Sequence, residues 1–143
     1  MTGVQTCALP ISYGQVPTLG FTPTGLQNGE TIGSVTLTSA GSPAAANVGS
    51  YAITASGAAG GTFTASNYAI TYTGATLTVN PAALLIQADN QSKIFGSTFT
   101  FAGTEFTSTG LQNGDTVGTV SLTSAGSPAG ANVGSYADRK SVV

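Results

Sequence analysis

The sequence lacks most of the side chains that carry enzyme chemistry. It contains no histidine, no tryptophan and one cysteine, Cys7. Without histidine there is no imidazole to act as a general base, and histidine–cysteine zinc sites are excluded. Only three residues are lysine or arginine, so no basic surface is available for nucleic acid or anionic lipid.

The composition combines few charges with many small and apolar residues. Charged residues make up 6% of the 143 residues, against about a quarter in ordinary soluble domains. Hydrophobic residues make up 41%, which is enough for a packed core in one domain or two small ones. No apolar run approaches the roughly 20 residues of a membrane span, so we expect no membrane insertion.

The two ends of the chain differ in character from the rest. The first eleven residues, MTGVQTCALPI, and the last six, DRKSVV, resemble translations of the adaptors used in short-read DNA sequencing. We therefore expect residues 1–11 and 138–143 to be adaptor-derived artefacts that take no part in the fold. The natural segment would then be a fragment of a longer reading frame, with Lys93 as its one cation and no cysteine.

A repeat with an offset of 85 residues organises the rest of the chain. Residues 24–52 and 109–137 are identical at 24 of 29 positions, and each difference keeps chemical character or small size. The pattern predicts a tandem array of domains of about 80 residues. Residues 12–81 would be a first repeat that lacks its opening strand, and residues 82–137 a second repeat that lacks its C-terminal half. Proline at 81 marks the expected junction, because it cannot sit inside a central strand.

Alternation of apolar and polar residues predicts an all-β fold. The alternation is clear at 34–38 and in the copy at 119–123. It changes phase after Gly74, where Leu77 and Val79 become the apolar pair, so the chain must bulge or turn there. The run Leu84-Leu85-Ile86 indicates a buried opening strand of the second copy.

Two architectures fit this pattern. The expected one is a pair of truncated, tandem Ig-like β-sandwich repeats, since the unit length suits about seven short strands. The alternative is a β-grasp-like sheet with one short helical turn per repeat. That turn would be Gly-Leu-Gln-Asn-Gly, at 25–29 and 110–114, which equally fits a tight turn through Asn-Gly. Residues 40–47 and 57–61 are expected to be loops.

Four short motifs follow one another in each copy as far as it extends. They are Tyr-Gly at 13–14 or Phe-Gly at 95–96, TGLQNG before an acid and a threonine, NVGSYAIT, and NYAITYTGATLTVNP. This order resembles the MBG-type domain, a mostly-β, glycine-rich repeat of large bacterial surface proteins, many of them filamentous-haemagglutinin-like adhesins. The resemblance spans 13–137 and implies a secreted, surface-anchored parent with tandem repeats. It brings no catalytic residues.

Few charged side chains could form a site. Asp115, or its counterpart Glu30, could help Asn113 to bind calcium. Calcium takes about 6–8 oxygen ligands with several carboxylates, so contact with backbone N–H groups of the turn is the simpler role for these acids. Lys93 could form a crosslink to an asparagine. A solvated lysine on an early strand, where it discourages edge pairing, is the simpler interpretation.

The neutral candidates also have structural interpretations. Residues 57–62 superficially suggest a phosphate loop but lack its lysine and the helix that should follow. Tyrosines could stack on sugars, although alternation on strands predicts half-buried core positions for them. These tyrosines are Tyr51, Tyr68, Tyr72 and Tyr136. Residues 90–92 fit the N-glycosylation triplet, which carries little weight in a bacterial protein. We expect no catalytic, cofactor-binding or metal-binding residue and no cofactor.

The expected function is that of a non-catalytic structural repeat, which serves as a spacer, stalk or display module of a large secreted bacterial cell-surface adhesin. Threonine and serine faces hydrogen-bond water, and a natural segment without cysteine forms no unwanted disulfide in an oxidising compartment. Its partners would be neighbouring repeats and, through the parent protein, a host glycan or surface protein. The alternative is a ligand-binding module that contacts glycan or host protein through the loops at 40–47 and 57–61. An enzyme is not expected.

Overall fold

The chain consists of two β-rich units, which are described separately. A computed structural model describes residues 2–141, with side chains from 2 to 137. The units are Met1–Ala82 and Ala83–Val143. Within the described residues, the regular structure is strand apart from one 3₁₀ turn at Ala65–Asn67. The predicted all-β class is therefore confirmed.

The first unit contains seven strands in two sheets. In chain order they are β1 (Thr2–Ala8), β2 (Ile11–Ser12), β3 (Leu19–Thr24), β4 (Ile32–Thr38), β5 (Gly49–Gly61), β6 (Ile70–Thr73) and β7 (Ala75–Asn80). One sheet has the order β3-β1-β6 and the other the order β2-β7-β5-β4. The β1–β6 and β2–β7 pairs are parallel, and the others are antiparallel. Because β1 packs against β5 and β7 of the other sheet, the unit is a β-sandwich.

The core of the first unit lies between the two sheets. Its deepest apolar side chains, each at most 2% exposed, are Val4, Ile53, Leu77 and Val79. Leu77 and Val79 face inward from alternate residues of β7, and the chain breaks between β6 and β7 at Gly74. The predicted change of phase at Gly74 is thus confirmed. A Cβ on Gly74 would lie 2.7 Å from the Ile53 carbonyl oxygen, so the backbones pass too closely there for a side chain.

The N-terminal segment is the central strand of the smaller sheet. β1 pairs with β3 on one side and β6 on the other, and the side chains of Thr2, Val4 and Thr6 are buried. The expectation that residues 1–11 take no part in the fold is therefore wrong. That the natural first repeat lacks an opening strand of its own stays a prediction. The strand position between β3 and β6 requires only an extended backbone with a small or medium-sized inward side chain at every second residue, and TGVQTCA has both. The adaptor origin of its codons stays a prediction.

The second unit repeats part of this architecture. Its strands are β8 (Leu85–Ala88), β9 (Phe106–Thr109), β10 (Ser121–Ser124) and β11 (Asp138–Ser141). β8 pairs antiparallel with β9, and β10 pairs antiparallel with β11. The core consists of Ile86, Val120 and Leu122, with Phe101 and Phe106 packed against it. Leu84 and Leu85 are 46% and 59% exposed, so the predicted buried run reduces to Ile86.

β1 and β8 occupy equivalent positions in the two units. Thr24 of β3 pairs with Gly3, and its counterpart in the repeat, Thr109 of β9, pairs with Leu85. One residue further along, Val4 corresponds to Ile86, and both side chains are buried. Two unrelated sequences therefore hold the same strand position in the same register.

The C-terminal strand also follows the repeat. β11 pairs Ser141 with Ser121, and 85 residues earlier β5 pairs Ser56 with Thr36 of β4. The expectation that residues 138–143 take no part in the fold is therefore wrong for the backbone of 138–141. An unpaired strand edge accepts backbone hydrogen bonds whatever the incoming side chains are. Residues 142–143 lie outside the described residues.

The repeated Gly-Leu-Gln-Asn-Gly segment forms a tight turn and not a helical one. Asn28 and Gly29 have φ of 53° and 70°, and the Glu30 N–H donates to the Gln27 carbonyl at 2.9 Å. Two positive φ angles at the centre of a turn are typical of type I′. The copy at 113–114 has φ of 52° and 79°. The helical turn that the β-grasp alternative required is therefore not formed.

Residues 57–61 belong to a strand, although we expected a loop. They form the C-terminal part of β5, which pairs with β4 through an irregularity between Ser34 and Thr36. A Cβ on Gly33 would lie 2.7 Å from the Gly61 nitrogen, so glycines allow the two backbones to approach. The expectation failed because glycine suits close backbone approach as well as flexibility.

Replacing Val4 by alanine tests whether β1 belongs to the core. We expect the free energy of unfolding to fall by about 1–3 kcal/mol, because the substitution removes methyl groups from a fully buried site. Val16→Ala is the matched control, since Val16 is 71% exposed and its loss should cost less than about 0.5 kcal/mol. Denaturant unfolding measures both values. Equal effects of the two substitutions would show that β1 is not packed.

Candidate functional site

A tyrosine–glutamate contact closes the Asn-Gly turn of the first unit. The Tyr68 hydroxyl donates a hydrogen bond to Glu30 Oε2 and accepts one from the Gln27 N–H at 3.1 Å. The hydrogen bond to Glu30 raises the pKa of Tyr68, and the Gln27 N–H opposes that rise. We expected Glu30 to contact the N–H groups of the turn. Instead Tyr68, 38 residues away, accepts the turn N–H and donates to the acid.

In the second unit, backbone N–H groups surround a carboxylate that sequence reasoning missed. Glu105 accepts hydrogen bonds from Ala102, Gly103 and Thr104 N–H groups at 2.9, 3.0 and 3.2 Å. The Ala102 N–H contributes most to lowering the pKa of the Glu105 carboxyl, and the other N–H donors act in the same direction. Gly103 has φ of 84°, which lets the chain curl around the carboxylate. That glycine is the one sequence signal, and it does not identify the acceptor.

The calcium hypothesis gains no further ligands from the structure. Asp115 lies in the turn of the second unit, where its N–H donates to the Gln112 carbonyl at 2.8 Å. Glu30 lies in the other unit, in contact with Tyr68. Among the described residues, no three histidine, cysteine, aspartate or glutamate side chains cluster where they could hold a metal ion.

Lys93 connects two segments of the second unit. Its ammonium group donates to the Ser97 and Pro128 carbonyl oxygens, at 2.9 Å each. The residue lies outside the described strands, so the prediction that it sits on an early strand is wrong. The strand β8 ends before Lys93. The Lys93 ammonium group donates hydrogen bonds to carbonyl oxygens and does not lie on the edge of a described strand, where it would discourage pairing.

Two tyrosines hold equivalent loops in the two units. Tyr51 donates to the Asn47 carbonyl at 2.8 Å, and its counterpart Tyr136 donates to the Asn132 carbonyl at 2.8 Å. A Cβ on Gly41 would lie 2.6 Å from the Tyr51 ring, so the ring packs directly on the backbone of the 40–47 loop. The same packing recurs 85 residues further on. These rings stabilise their loops.

Tyr68 and Tyr72 also form hydrogen bonds within the first unit. Tyr51 and Tyr68 are half-buried, as predicted, whereas Tyr72 and Tyr136 are 36% and 40% exposed. The Tyr72 hydroxyl accepts a hydrogen bond from the Ala58 N–H at 2.9 Å. Residues 57–62 thus lie beside a tyrosine hydroxyl and within or next to β5, which is not the setting of a phosphate loop.

The second unit has an open cavity of about 530 Å³. Its lining includes residues 90–93, Phe95 and residues 131–136. Phe99 and Phe101 also line it, and their rings meet edge to face with centroids 5.0 Å apart. The described lining contains the ammonium of Lys93 but no carboxylate, so convergent acids for acid–base chemistry are not present there.

No helix in the described part of the chain is long and apolar enough to cross a membrane. Comparison with protein families gives a match in each unit. The family model of the MBG domain (YGX type) matches residues 9–78 and 84–142. No curated protein and no solved structure matches the chain. The resemblance drawn from the four motifs is thereby confirmed.

Glu105→Gln tests the backbone cradle through its pH dependence. A carboxyl whose pKa is lowered on folding stabilises the fold above its unfolded pKa, about 4.3, and this stabilisation is lost as pH falls through the folded value. We expect the second unit of the wild type to lose stability below about pH 4, and the variant to lose less. Denaturant midpoints measured against pH give both curves. Parallel curves would contradict a stabilising cradle, and Glu30→Gln, in the other unit, is the control.

Glu30→Gln tests the contact with Tyr68. The substitution should lower the pKa of Tyr68 toward the ordinary value of about 10, because the neutral amide no longer favours the protonated phenol. The raised pKa in the wild type means that the contact stabilises the fold below the unfolded pKa and is lost as pH rises through the folded one. NMR titration of the tyrosine ring carbons measures the shift. Asp115→Asn is the matched control, and an unchanged Tyr68 midpoint in Glu30→Gln would refute the contact.

Proposed function

The chain belongs to the MBG domain family (YGX type), and from this premise we propose that it is a non-catalytic spacer, stalk or display module of a large secreted bacterial cell-surface adhesin. The family is one of repeat domains of surface proteins and is not a known enzyme family. The single observation that carries the proposal is the 85-residue repeat, with 24 of 29 positions identical between residues 24–52 and 109–137.

The separate strands and buried residues of the two units suit an array. Each unit has its own strands and its own buried residues, so added copies would add length without a shared core. The mechanism is mechanical: repeats hold a distal region of the parent protein away from the cell. Neighbouring repeats of the parent are the immediate partners in this proposal, and any host glycan or surface protein is bound elsewhere in the parent.

The exposed face of the larger sheet supports this role. Thr38 on β4 and Thr54 on β5 are exposed, and their hydroxyls lie 2.7 Å apart across the pair. Such cross-strand threonine pairs stabilise a solvent-exposed sheet face without charged side chains. Few lysines and arginines also leave few sites for trypsin-like proteases, which favours survival outside a cell.

The alternative, a module that binds glycan or host protein through its loops, has less support. One proposed loop, at 57–61, is part of β5. The other, at 40–47, is covered on one side by the Tyr51 ring, which is therefore not free to stack on a sugar. Val48, at the end of this loop, is 52% exposed and is the best residue with which to test the alternative.

Arrays of one to four copies of the 85-residue period distinguish the two functions. A spacer should lengthen in proportion to copy number, because each unit contributes its own core and one neighbour interface. Small-angle X-ray scattering measures the maximum dimension, and growth as the cube root of mass would contradict a spacer. The same arrays are screened on glycans, and specific binding that Val48→Asp abolishes while the fold persists would favour the alternative.

A further inference from the structure

The cavity of the second unit has the position in its repeat that strand β7 has in the first unit. In the first unit, the Gly14 N–H donates to the Ala44 carbonyl at 3.1 Å, and in the second the Gly96 N–H donates to the Ala129 carbonyl at 3.2 Å. These equivalent hydrogen bonds align Gly96 with Gly14. Residues 93–95, of which Lys93 and Phe95 line the cavity, therefore correspond to 11–13, the segment that contains β2.

Another part of the cavity lining corresponds to β5. Residues 134–136 are the counterparts of 49–51 in the 85-residue repeat. In the first unit, the counterparts of these two segments are β2 and β5. β7 lies between them, because it pairs with β2 on one side and with β5 on the other. Both neighbours of β7 thus have counterparts that line the cavity.

The first unit also shows which side chains such a strand places inward. Leu77 of β7 pairs with Tyr51, and Val79 pairs with Gly49. A Cβ on Gly41 would lie 2.6 Å from the Tyr51 ring and 3.1 Å from Leu77, so the three residues are in close packing. In the second unit, the corresponding Tyr136 packs on its glycine in the same way but stays 40% exposed.

We propose that this cavity, lined by residues 90–93, Phe95 and residues 131–136, is a binding site for an extended peptide that adds as a β-strand. The peptide carries two apolar side chains at alternate positions, and residues 73–81, TGATLTVNP, are its prototype. It pairs antiparallel with 134–137, with leucine opposite Tyr136 and valine opposite Gly134. Backbone hydrogen bonds provide affinity and the alternate side chains provide specificity. The inference depends on the register of the repeat and not on the spacer role.

Binding of a labelled TGATLTVNP peptide to the full chain tests the proposal. We expect saturable fluorescence anisotropy and slower hydrogen–deuterium exchange at 134–137. Exchange at 49–53 should not change, because β7 already occupies that edge. A peptide with Leu77→Asp should bind at least about tenfold more weakly, since the leucine loses its apolar site. Absence of saturable binding, equal binding of both peptides, or protection at 49–53 instead would overturn the proposal.

Two variants of the protein identify the contact that the peptide makes. Tyr136→Ala should weaken binding by about tenfold, because the ring that faces the leucine is removed. Tyr136→Phe keeps the ring and loses only the hydrogen bond to the Asn132 carbonyl, so it should bind as the wild type does. Equal binding by all three proteins would place the peptide elsewhere and refute the site. If Tyr136→Ala does not fold, the two peptides on the unchanged chain still decide the question.

Discussion

The pairing of β5 with β7 is the constraint on which the first unit depends. It brings Ile53 on one strand and Leu77 and Val79 on the other into the interior, and it seats Leu77 beside Tyr51. In the second unit, the counterpart of this part of β5 borders an open cavity, and the described core consists of Ile86, Val120 and Leu122. The first unit, which has the β5–β7 pairing, is therefore a closed sandwich, and the second unit, in which the counterpart of this part of β5 borders a cavity, is partly open.

Much of the fold follows from local pattern, and its exceptions follow from distant contacts. The strands at 32–38 and 75–80 and the break at Gly74 were predictable, because period-two alternation is visible over a few residues. The strand at 57–61 was not, since its glycines are placed by close approach to Gly33, which is distant in sequence. β1 was excluded because its sequence resembles a translated adaptor, although Thr2, Val4 and Thr6 alternate as a strand requires.

The polar contacts also divide into those that follow from local sequence and those that depend on distant residues or irregular backbone. Asn-Gly left a helical turn and a tight turn as alternatives at the right place in the chain, and the positive φ angles of two successive residues identify the tight turn. The partner of Glu30 was not predictable, because Tyr68 reaches it from 38 residues away. The Glu105 contacts are local, but the three N–H donors lie on irregular backbone that no periodic pattern describes. Sequence thus predicted where the chain turns, but not which side chain each turn binds.

The parallel alignment of β1 with β6 has a consequence for the first unit when it is pulled at its two ends. A pull on the two ends of the first unit draws on β1 from its start and on the β6–β7 region from its far end. Two parallel strands pulled in this way slide past one another, so their cross-strand hydrogen bonds carry the force together and do not open one by one. The sheet then resists as a shear joint, and its strength rises with the number of residues in register.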